Sequence, residues 1–571
     1  MFNLLLKCLR ILGKKFSYIF FLIFFLTIIN TFFEVLSIAM IFPFMQAVID
    51  SEFFKNNIYA AFISDLFQIK HHKEFVTFSI ISLSILFFIR TIYIQFFYWI
   101  KSIYLHDLIK VLSVNLLNKY LNQNTKFSYT NNRSKLIKNI IFEIERFALG
   151  FISHLLEIIT EILIIFAIFI LLFILRPEGF GVTVALSGIV MTFFFLITKN
   201  YLRKLGIKKS YYQKVKIERI QNSLNLQKEI LLMRLQKVFL KLFEDVSKLS
   251  ANINSKEMII GRSPRIWFEF IVIVTMSFTF FFLYIKNVPL NSIITLLALY
   301  TVMALRLIPS VNRIVSSYVQ LRINSNVVNI ISKDLEFRIK SYKNNNNFSF
   351  ESLLIYNGNY SYENKKNTTL KKLNFNISSN EHIAILGKTG SGKSTFAKIL
   401  MGLVKLDSGN FFLNKKICVN PVFNYIKFGY VSQDMHLIEE SILFNITFSN
   451  KLEENKKDFL KNIVKVCELQ DVIKKFPQDI MRNVGDGGIK VSAGQKQRIV
   501  IARALYFNSD FLIFDEATSA LDVKTELKIV KNIKLFNINK PLIFITHRLT
   551  NLKIFKKIYE IKNGILKPTF F

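Results

Sequence analysis

The sequence predicts a multidomain chain in which a six-helix transmembrane domain precedes a soluble α/β domain. Hydrophobic residues make up 52% of the 571 residues, 60 of them Phe, and charged residues only 20%. This composition excludes a disordered chain and is unusual for a soluble protein of this size. After about residue 320 the long apolar runs stop, and short β-rich runs begin to alternate with helical ones.

Six apolar stretches are long enough to cross a bilayer, for which about 20 apolar residues suffice. The first stretch lacks the short core and the cleavage site of a signal peptide, so we expect it to remain in the protein. The predicted domains are a transmembrane domain over 1–325, a linker over 326–349 and an α/β domain over 350–571. The six spans are expected near 17–45, 75–100, 150–175, 180–198, 266–285 and 291–318.

Basic residues predict the orientation of the spans. A cluster precedes the first span, and a dense basic run opens the stretch 199–264. Because cytoplasmic loops carry the excess of Lys and Arg, the N-terminus and the long loops 101–149 and 199–264 are expected in the cytoplasm. The outer loop contains a predicted amphipathic helix over 58–67, which either lies on the outer leaflet or packs on the bundle.

The net charge of +36 leaves several explanations open. Nucleic acid is excluded as a partner by the six spans, whereas an anionic membrane surface remains a candidate. A coding sequence rich in A and T accounts for much of the Lys content equally well. The three cysteines, Cys8, Cys418 and Cys467, are scattered without metal-binding spacing, so we expect reduced thiols without a special role.

A phosphate-binding loop follows the short apolar strand predicted at Ile383–Leu386. The segment GKTGSGKST fits G-x-x-x-x-G-K-[ST] in a strand–loop–helix context. Its backbone N–H groups and the helix N-terminus would bind the phosphates of ATP, Lys393 would neutralise the β- and γ-phosphates, and Ser394 would hold Mg²⁺. The predicted nucleotide contacts are Gly387, Lys388, Thr389, Gly390, Ser391, Gly392, Lys393, Ser394 and Thr395.

Two acidic residues follow a second apolar strand, FLIF at 511–514. In P-loop enzymes a carboxylate at this position coordinates Mg²⁺, directly or through water, which is the role expected of Asp515. Glu516 is the candidate general base that polarises the attacking water. Two acids after a strand are a weak signal alone, and their value here depends on the motifs that accompany them.

Those motifs resemble the ABC transporter ATPases. The segment VSAGQKQR at 491–498 is similar to the family's signature, and YVSQD, SALD and ITHRL are similar to its Q-loop, D-loop and switch region. The resemblance implies catalytic roles for Gln433 and His547 beside Glu516, and Mg²⁺ ligation by Ser394, Gln433 and Asp515. It also implies nucleotide contacts from Ser492, Ala493, Gly494, Gln495 and Asp522.

The same resemblance implies that Tyr362 stacks on adenine, with Tyr360 as the alternative. It further implies a half-transporter that works as a homodimer, with each signature closing over ATP held by the other copy. The topology resembles the type IV exporter arrangement, in which the turns near 124–134 and 226–234 would contact the ATPase. The signature departs from the usual Leu-Ser-Gly-Gly at Val491 and Ala493, and slower closure is the expected consequence.

Arginines within the predicted spans indicate the cargo. Arg306 and Arg313 are seven residues apart and share one helical face, Arg90 lies in the second span, and Arg265 opens the fifth. Arginine in a membrane is costly and faces a polar cavity or a partner. Two interpretations are open: the arginines bind an anionic head group such as pyrophosphate, or they snorkel or pair with Glu34, Glu157, Glu161 or Glu269.

A narrower resemblance favours the first interpretation. RLIPSVNRI at 306–314, PRI at 264–266, Glu34 with PF at 43–44, and VGDGG at 484–488 are similar to the bacterial lipid-linked oligosaccharide flippases of the PglK family. This resemblance implies ATP-driven flipping of polyprenyl-pyrophosphate-linked oligosaccharide across the bacterial inner membrane. It places the oligosaccharide lipid and membrane lipids among the partners. The alternative is an exporter of lipids or drugs.

Overall fold

The chain forms two compact units in the computed structural model. The helical unit comprises Met1–Gln123 and Thr130–Ile339, and the α/β unit comprises Asn124–Tyr129 and Lys340–Phe571. Each unit is described below by itself. The structure describes residues 2–49, 58–69, 71–123, 127, 132–175, 180–285, 290–337, 349–362, 369–418, 422, 425–474 and 477–569.

Long helices dominate the helical unit, and four of them contain 46 to 50 residues. At about 1.5 Å per residue such helices are roughly 70 Å long, more than twice the hydrocarbon thickness of a bilayer. They therefore extend well beyond a membrane span. The helices are α1 (Phe2–Ala39), α2 (Ile41–Ile49), α3 (Ile58–Leu66), α4 (His72–Leu121), α5 (Arg133–Lys138), α6 (Ser153–Leu175), α7 (Phe180–Asn225), α8 (Gln227–Leu232), α9 (Gln236–Ile285) and α10 (Leu290–Leu335).

Three segments of the described chain are long and apolar enough to cross a membrane: Leu6–Ser37, His72–Leu121 and Arg146–Ile170. The other predicted spans fall on α7, α9 and α10, where many side chains lie outside the described part. On α1 the polar Thr27 and Glu34 are buried, whereas bulky Phe side chains point outward. A helix with polar groups inside and apolar groups outside suits a lipid environment.

The ends of α1 differ from a simple straight span. Gly13 has φ 67° and interrupts the helix near its start. A turn at Met40 separates α1 from α2, so the predicted span 17–45 crosses from one helix into the next.

The predicted amphipathic segment forms α3, which packs through Ala60 and exposes Phe62 and Leu66. The predicted turn near 124–134 lies largely outside the described residues.

Two π-helical stretches, Asn139–Glu143 and Arg146–Ile152, join α5 to α6. They surround Glu143, which is fully buried and pairs with Lys138 at 2.9 Å and Arg146 at 3.2 Å. A buried carboxylate requires such partners, because desolvation otherwise penalises its charge. The ion pairs thus hold an irregular backbone segment within the helical unit.

The α/β unit contains two sheets. One is antiparallel with strand order β2-β1-β4-β5, and the other has order β10-β9-β3-β8-β7-β6 with parallel pairing throughout except between β10 and β9. The strands are β1 (Ser352–Tyr360), β2 (Leu370–Ser378), β3 (His382–Leu386), β4 (Ser408–Leu413), β5 (Lys416–Ile417), β6 (Phe428–Val431), β7 (Phe511–Asp515), β8 (Leu542–Ile545), β9 (Lys557–Lys562) and β10 (Ile565–Thr569).

The central strands β3, β7 and β8 are apolar on both faces. Alternate residues of these strands enter two separate hydrophobic cores, as Phe514 and Ile513 illustrate. Double-sided burial is typical of parallel strands covered by helices. Those helices include α11 (Lys393–Leu400), α12 (Ile442–Thr447), α13 (Lys457–Val466), α14 (Ala493–Tyr506) and α15 (Val523–Phe536). The carboxyl ends of β3, β6, β7 and β8 meet at one edge, where ligands bind in such sheets.

Candidate functional site

The loop after β3 approaches neighbouring chain segments so closely that glycine is required. A Cβ on Gly387 would lie 2.6 Å from Oγ of Ser391 and 2.8 Å from the carbonyl oxygen of Ile561. Gly392 has φ 107° and caps α11, a conformation that side chains disfavour. At Gly390 a Cβ would meet nothing within 4 Å. The loop is therefore tightly packed at its base, with open space beside Gly390.

Lys393 lies at the start of α11 with its side chain buried. Its ammonium group donates hydrogen bonds to the carbonyl oxygens of Gly387 at 2.8 Å and Lys388 at 3.1 Å. The same nitrogen lies 3.3 Å from Oε1 of Glu516. The buried ammonium is thus held by its own loop and by the carboxylate at the end of β7.

The three side chains predicted to be catalytic converge at one point, because Gln433 and His547 both approach the carboxylate of Glu516. Its backbone has φ 52°, an uncommon conformation for a residue other than glycine, directly after β7. The side-chain amide of Gln433, beyond the end of β6, donates to Oε2 of Glu516 at 3.2 Å. Nδ1 of His547, beyond the end of β8, lies 3.8 Å from the same oxygen. Adjacent parallel strands explain this convergence.

Asp515 has the environment expected of a metal ligand. It is buried, Tyr430 donates to its Oδ2 at 3.4 Å, and its Oδ1 has no partner among the described residues. Burial raises the pKa of Asp515, and a hydrogen bond with Ser394 opposes this effect. A cation at the unpaired oxygen would relieve the desolvation cost. Ser394 and Asp515 therefore fit a Mg²⁺ site, which would neutralise phosphate charge, whereas the amide of Gln433 faces Glu516.

No cluster of three or more His, Cys, Asp or Glu residues suited to a metal occurs in the described ranges. In P-loop enzymes phosphate oxygens supply much of the coordination of Mg²⁺, and here Asp515 and Ser394 are the residues that would hold the ion beside them. Oγ of Ser391, inside the phosphate-binding loop, is also buried without a partner among the described residues. These unpaired oxygens fit a site built for Mg²⁺ and a polyphosphate.

Tyr362 lies beside the same loop. Its hydroxyl is 3.1 Å from Oγ1 of Thr395, and its ring meets the ring of Tyr360 edge to face at 5.2 Å. The two aromatic residues considered for adenine stacking are therefore neighbours. Tyr362 is the one joined to α11, and its ring remains partly exposed.

The signature residues form the N-terminus of α14. The hydroxyl of Ser492 accepts a hydrogen bond from the backbone N–H of Gln495 at 3.2 Å, and the Gln495 side chain accepts one from the Ser492 N–H at 3.0 Å. This capping box fixes the first turn. Ala493 is exposed, so its methyl group lies on the surface. A Cβ on Gly494 would lie 3.2 Å from Leu521.

Two residues that the sequence analysis did not single out hold the D-loop. Arg548 donates to the carbonyl oxygens of Ser519 at 2.7 Å and Leu521 at 3.0 Å, and pairs with the fully buried Glu526 at 2.8 Å. Gln497 accepts from the Ala520 N–H at 3.0 Å and donates to Oγ of Ser519 at 3.2 Å. Gln497 lies in the segment VSAGQKQR and Arg548 in ITHRL, and their position in these motifs is the sequence signal that could have pointed to this role.

Asp522, predicted to contact nucleotide, caps α15 in this structure. Its carboxylate accepts from the backbone N–H of Thr525 at 3.0 Å. This backbone hydrogen bond holds the pKa of Asp522 below its ordinary value. The carboxylate therefore remains ionised and fixes the helix that follows the D-loop.

The predicted cargo arginines are paired with carboxylates. Arg90 lies 3.1 Å from Oε1 of Glu34, and Arg306 pairs with Oε2 of the same residue. Arg313 pairs with Glu161, with Nη2 and Oε2 separated by 3.3 Å. The ion-pair alternative thus describes these three residues in this structure. The side chain of Arg265 lies outside the described part.

A cavity of about 90 Å³ adjoins these ion pairs inside the helical unit. In the described part of the chain, three cationic side chains (Lys101, Arg306 and Arg313) and three carboxylates line it, and Arg90 lies beside it, paired with Glu34. Nδ1 of His154 lies 3.0 Å from Glu157. The remaining lining comes from both polar and apolar side chains: Asn30, Ile94, Phe97, Tyr98, Thr160 and Ile164.

Comparison with known proteins identifies the α/β unit. Residues 370–519 match the family described as ABC transporter. An ATP-dependent lipid A-core flippase of Wigglesworthia glossinidia brevipalpis is 27% identical over 465 residues, 79% of this chain and 78% of the relative. The multidrug resistance-like ATP-binding protein MdlA of Buchnera aphidicola is 35% identical over 248 residues, which cover 42% of this chain and 41% of MdlA.

The fold of the whole chain is also found in a solved structure. A bacterial Atm1-family ABC exporter with ATP bound superposes with a TM-score of 0.77 at 18% identity, over 95% of this chain and 93% of the exporter. This likeness confirms the predicted fold class, helical transmembrane domain plus α/β ATP-binding domain. The chain therefore has the type IV exporter fold, and its α/β domain carries an ATPase region that matches the ABC transporter family over residues 370–519.

Proposed function

We propose that the protein is a homodimeric flippase that uses ATP to move polyprenyl-pyrophosphate-linked oligosaccharide across the bacterial inner membrane. The observation that carries this proposal is the group of partly buried arginines on the membrane helices, Arg90, Arg306 and Arg313, at or beside an internal cavity. A relative that aligns along most of the chain is itself named a flippase, for lipid A-core, which supports cargo of lipid type.

The charge balance of the cavity supports an anionic head group. Placing several arginines in membrane helices is costly, and such residues usually mark a substrate pathway. Among the described residues, three cationic and three acidic side chains line the cavity, and Arg90 beside it adds one positive charge. A homodimer would contain this group twice. Guanidinium groups bind phosphate oxygens in bidentate geometry, so a diphosphate is a suitable ligand.

The roles of the ATP-site residues belong to the same proposal. Lys393 would bind the terminal phosphates, Glu516 would accept a proton from the attacking water, and Gln433 and His547 would orient Glu516 and the phosphate end of ATP. The exposed N-terminus of α14 carries the signature, which supports closure over ATP in a second copy of the chain. The proposal therefore includes a dimer, in which two such domains face each other across the bound ATP.

Export of other lipids or of drugs is the second candidate function. It is favoured by the ion pairs, because each of the three described arginines already has a carboxylate partner. The similarity to MdlA, a multidrug resistance-like protein, also supports it. In that case the cavity would receive cargo through its aromatic side chains, Phe97 and Tyr98, and the arginines would be structural.

Stimulation of ATP hydrolysis distinguishes the two candidates. The full-length protein in proteoliposomes is titrated with polyprenyl-pyrophosphate oligosaccharide and, separately, with a panel of hydrophobic cationic drugs. We expect the oligosaccharide lipid to stimulate hydrolysis and the drugs to leave the rate unchanged. Stimulation by the drugs alone would contradict the proposal and establish the second candidate.

A further inference from the structure

Glu34 neutralises only part of the charge that surrounds it. The residue is 5% exposed, and its two carboxylate oxygens face the guanidinium groups of Arg90 and Arg306. One negative charge is therefore shared by two positive charges on α4 and α10. The group retains one excess positive charge in a setting where exposed apolar side chains indicate lipid.

The ion pairs leave hydrogen-bonding capacity unused. Among the described residues, Nε of Arg90 and Nε of Arg306 are buried and make no hydrogen bond. The same is true of Oδ1 of Asn30, one turn before Glu34, and of Oγ of Ser310, one turn after Arg306. Buried polar atoms without partners are rare and costly. Here the unused arginine donors are available to additional anionic oxygens.

A diphosphate has the chemistry to use these donors. It offers more acceptor oxygens than a carboxylate, and arginine binds phosphate oxygens in pairs. A monoanionic group that replaced Glu34 would supply no more charge than Glu34 does, while the displaced carboxylate would lose its partners. A group with more than one negative charge offsets that loss. The electrostatics at Glu34 therefore discriminate between one and two negative charges.

We propose that Glu34 is an internal counter-anion that occupies the Arg90–Arg306 site until the diphosphate group of the cargo displaces it. Glu34 thereby makes the transporter selective for diphosphate lipids over monophosphate lipids. This inference rests on the proposed function and adds a specificity-determining residue to it. Glu161, whose cationic partner among the described residues is Arg313, is a natural comparison, because it is an equally buried carboxylate in the same cavity.

Stimulation of ATPase by two matched lipids tests the role of Glu34. The full-length protein in proteoliposomes is titrated with polyprenyl pyrophosphate carrying one N-acetylhexosamine and with polyprenyl monophosphate carrying the same sugar. We expect the half-stimulating concentration in the wild type to be at least about tenfold higher for the monophosphate. In Glu34→Gln, which keeps the side-chain size but removes the charge, the difference should fall below about threefold, because a monoanion then meets unneutralised arginines.

Two control variants separate charge from structure. Glu34→Asp keeps the negative charge and should retain most of the selectivity. Glu161→Gln removes the same charge from the neighbouring pair, which frees Arg313 but neither Arg90 nor Arg306, and should reduce the difference between the two lipids much less than Glu34→Gln does. If Glu34→Gln does not fold, the double variant Glu34→Gln with Arg90→Gln preserves the net charge of the group. It should likewise lose the discrimination.

The outcomes are distinguishable. Full wild-type selectivity in folded Glu34→Gln, or in the double variant, would overturn the role of Glu34 and leave the proposed function standing. A wild-type protein that neither lipid stimulates would overturn both. Equal loss of selectivity in Glu34→Gln and Glu161→Gln would also overturn the proposal, because the effect would then follow from cavity charge and not from Glu34.

Discussion

Nζ of Lys393 lies 3.3 Å from Oε1 of Glu516, so the lysine expected to bind the terminal phosphates is paired with the carboxylate expected to activate water. Both side chains are poorly exposed, and each partly neutralises the other. Phosphate oxygens that approach Lys393 must compete with Glu516 for its ammonium group. Binding of ATP would therefore release Glu516 toward the attacking water, which connects nucleotide binding to the formation of the catalytic site.

The first prediction concerns Glu516 as the general base of ATP hydrolysis. Glu516→Gln keeps the size of the side chain and removes its capacity to accept a proton, so ATP hydrolysis should fall by about 10²- to 10⁴-fold while ATP remains bound. Phosphate release and the nucleotide retained after gel filtration measure the two effects. The exposed Glu454, changed to Gln, is a matched control that should hydrolyse ATP normally. Wild-type hydrolysis in Glu516→Gln would refute the assignment.

The second prediction concerns the D-loop contacts of Arg548. Arg548→Ala removes hydrogen bonds to Ser519 and Leu521 and leaves Glu526 buried without its charged partner. Breaking one side of a buried pair costs about 3–5 kcal/mol, so the melting temperature of the α/β domain should drop. Adding Glu526→Gln should restore part of the loss, because the unpaired charge is then gone. An unchanged melting temperature in Arg548→Ala would contradict this account.

The third prediction concerns pH and Asp515. Burial raises the pKa of this carboxyl group above its ordinary value of 3.8. The ionised form is thus penalised in the folded protein, and the penalty is absent below the ordinary pKa and complete above the raised one. Asp515→Asn should therefore raise the melting temperature near neutral pH without nucleotide, and the gain should shrink as the pH falls. Hydrolysis should be lost.

The decisive comparison is a pH series of melting temperatures for the wild type and Asp515→Asn, measured without Mg²⁺ or nucleotide. A lower melting temperature for Asp515→Asn at neutral pH would show that the carboxylate stabilises the fold by itself. The proposed metal role would then lose its main support. Addition of Mg²⁺ and a non-hydrolysable ATP analogue should stabilise the wild type much more than the variant.

The fourth prediction concerns the unusual signature. The methyl group of Ala493 is exposed at the start of α14, where close backbone approach to a second copy would be needed. Ala493→Gly should accelerate ATP turnover at a cost in stability of about 0.5–1 kcal/mol. Steady-state hydrolysis at saturating ATP measures the change, with Val491→Leu as the companion variant. Slower turnover in Ala493→Gly, with the protein still folded, would contradict the prediction.

The sequence was sufficient for those parts of the site that follow from strand order. Gln433, Glu516 and His547 come after three neighbouring parallel strands, so their convergence at one edge is a consequence of topology. The contacts of Arg548 could not be predicted, because its partners lie 22 to 29 positions away and depend on how the D-loop folds back. The same holds for the π-helical stretches, which depend on the tertiary environment of Glu143.

The cargo arginines show most clearly what could not be predicted from the sequence. Their spacing along α10 predicted a shared face, yet the choice of partner depended on which helices pack against α10. The structure joins Arg306 to Glu34 on α1 and Arg313 to Glu161 on α6. Both carboxylates were among the candidates, but no sequence pattern distinguishes them from Glu157, which contacts His154 and Ser317 instead.

ATP-dependent flipping tests the central claim most directly. Wild type, Glu516→Gln and the double variant Arg306→Ala with Arg313→Ala are reconstituted in proteoliposomes containing polyprenyl-pyrophosphate oligosaccharide, and transfer of the glycan to the opposite leaflet is followed with a glycan-cleaving enzyme. We expect flipping by the wild type upon ATP addition, none by Glu516→Gln, and at least about tenfold less per ATP hydrolysed by the arginine variant. Equal flipping per ATP by the arginine variant, or no flipping by an active wild type, would contradict the account.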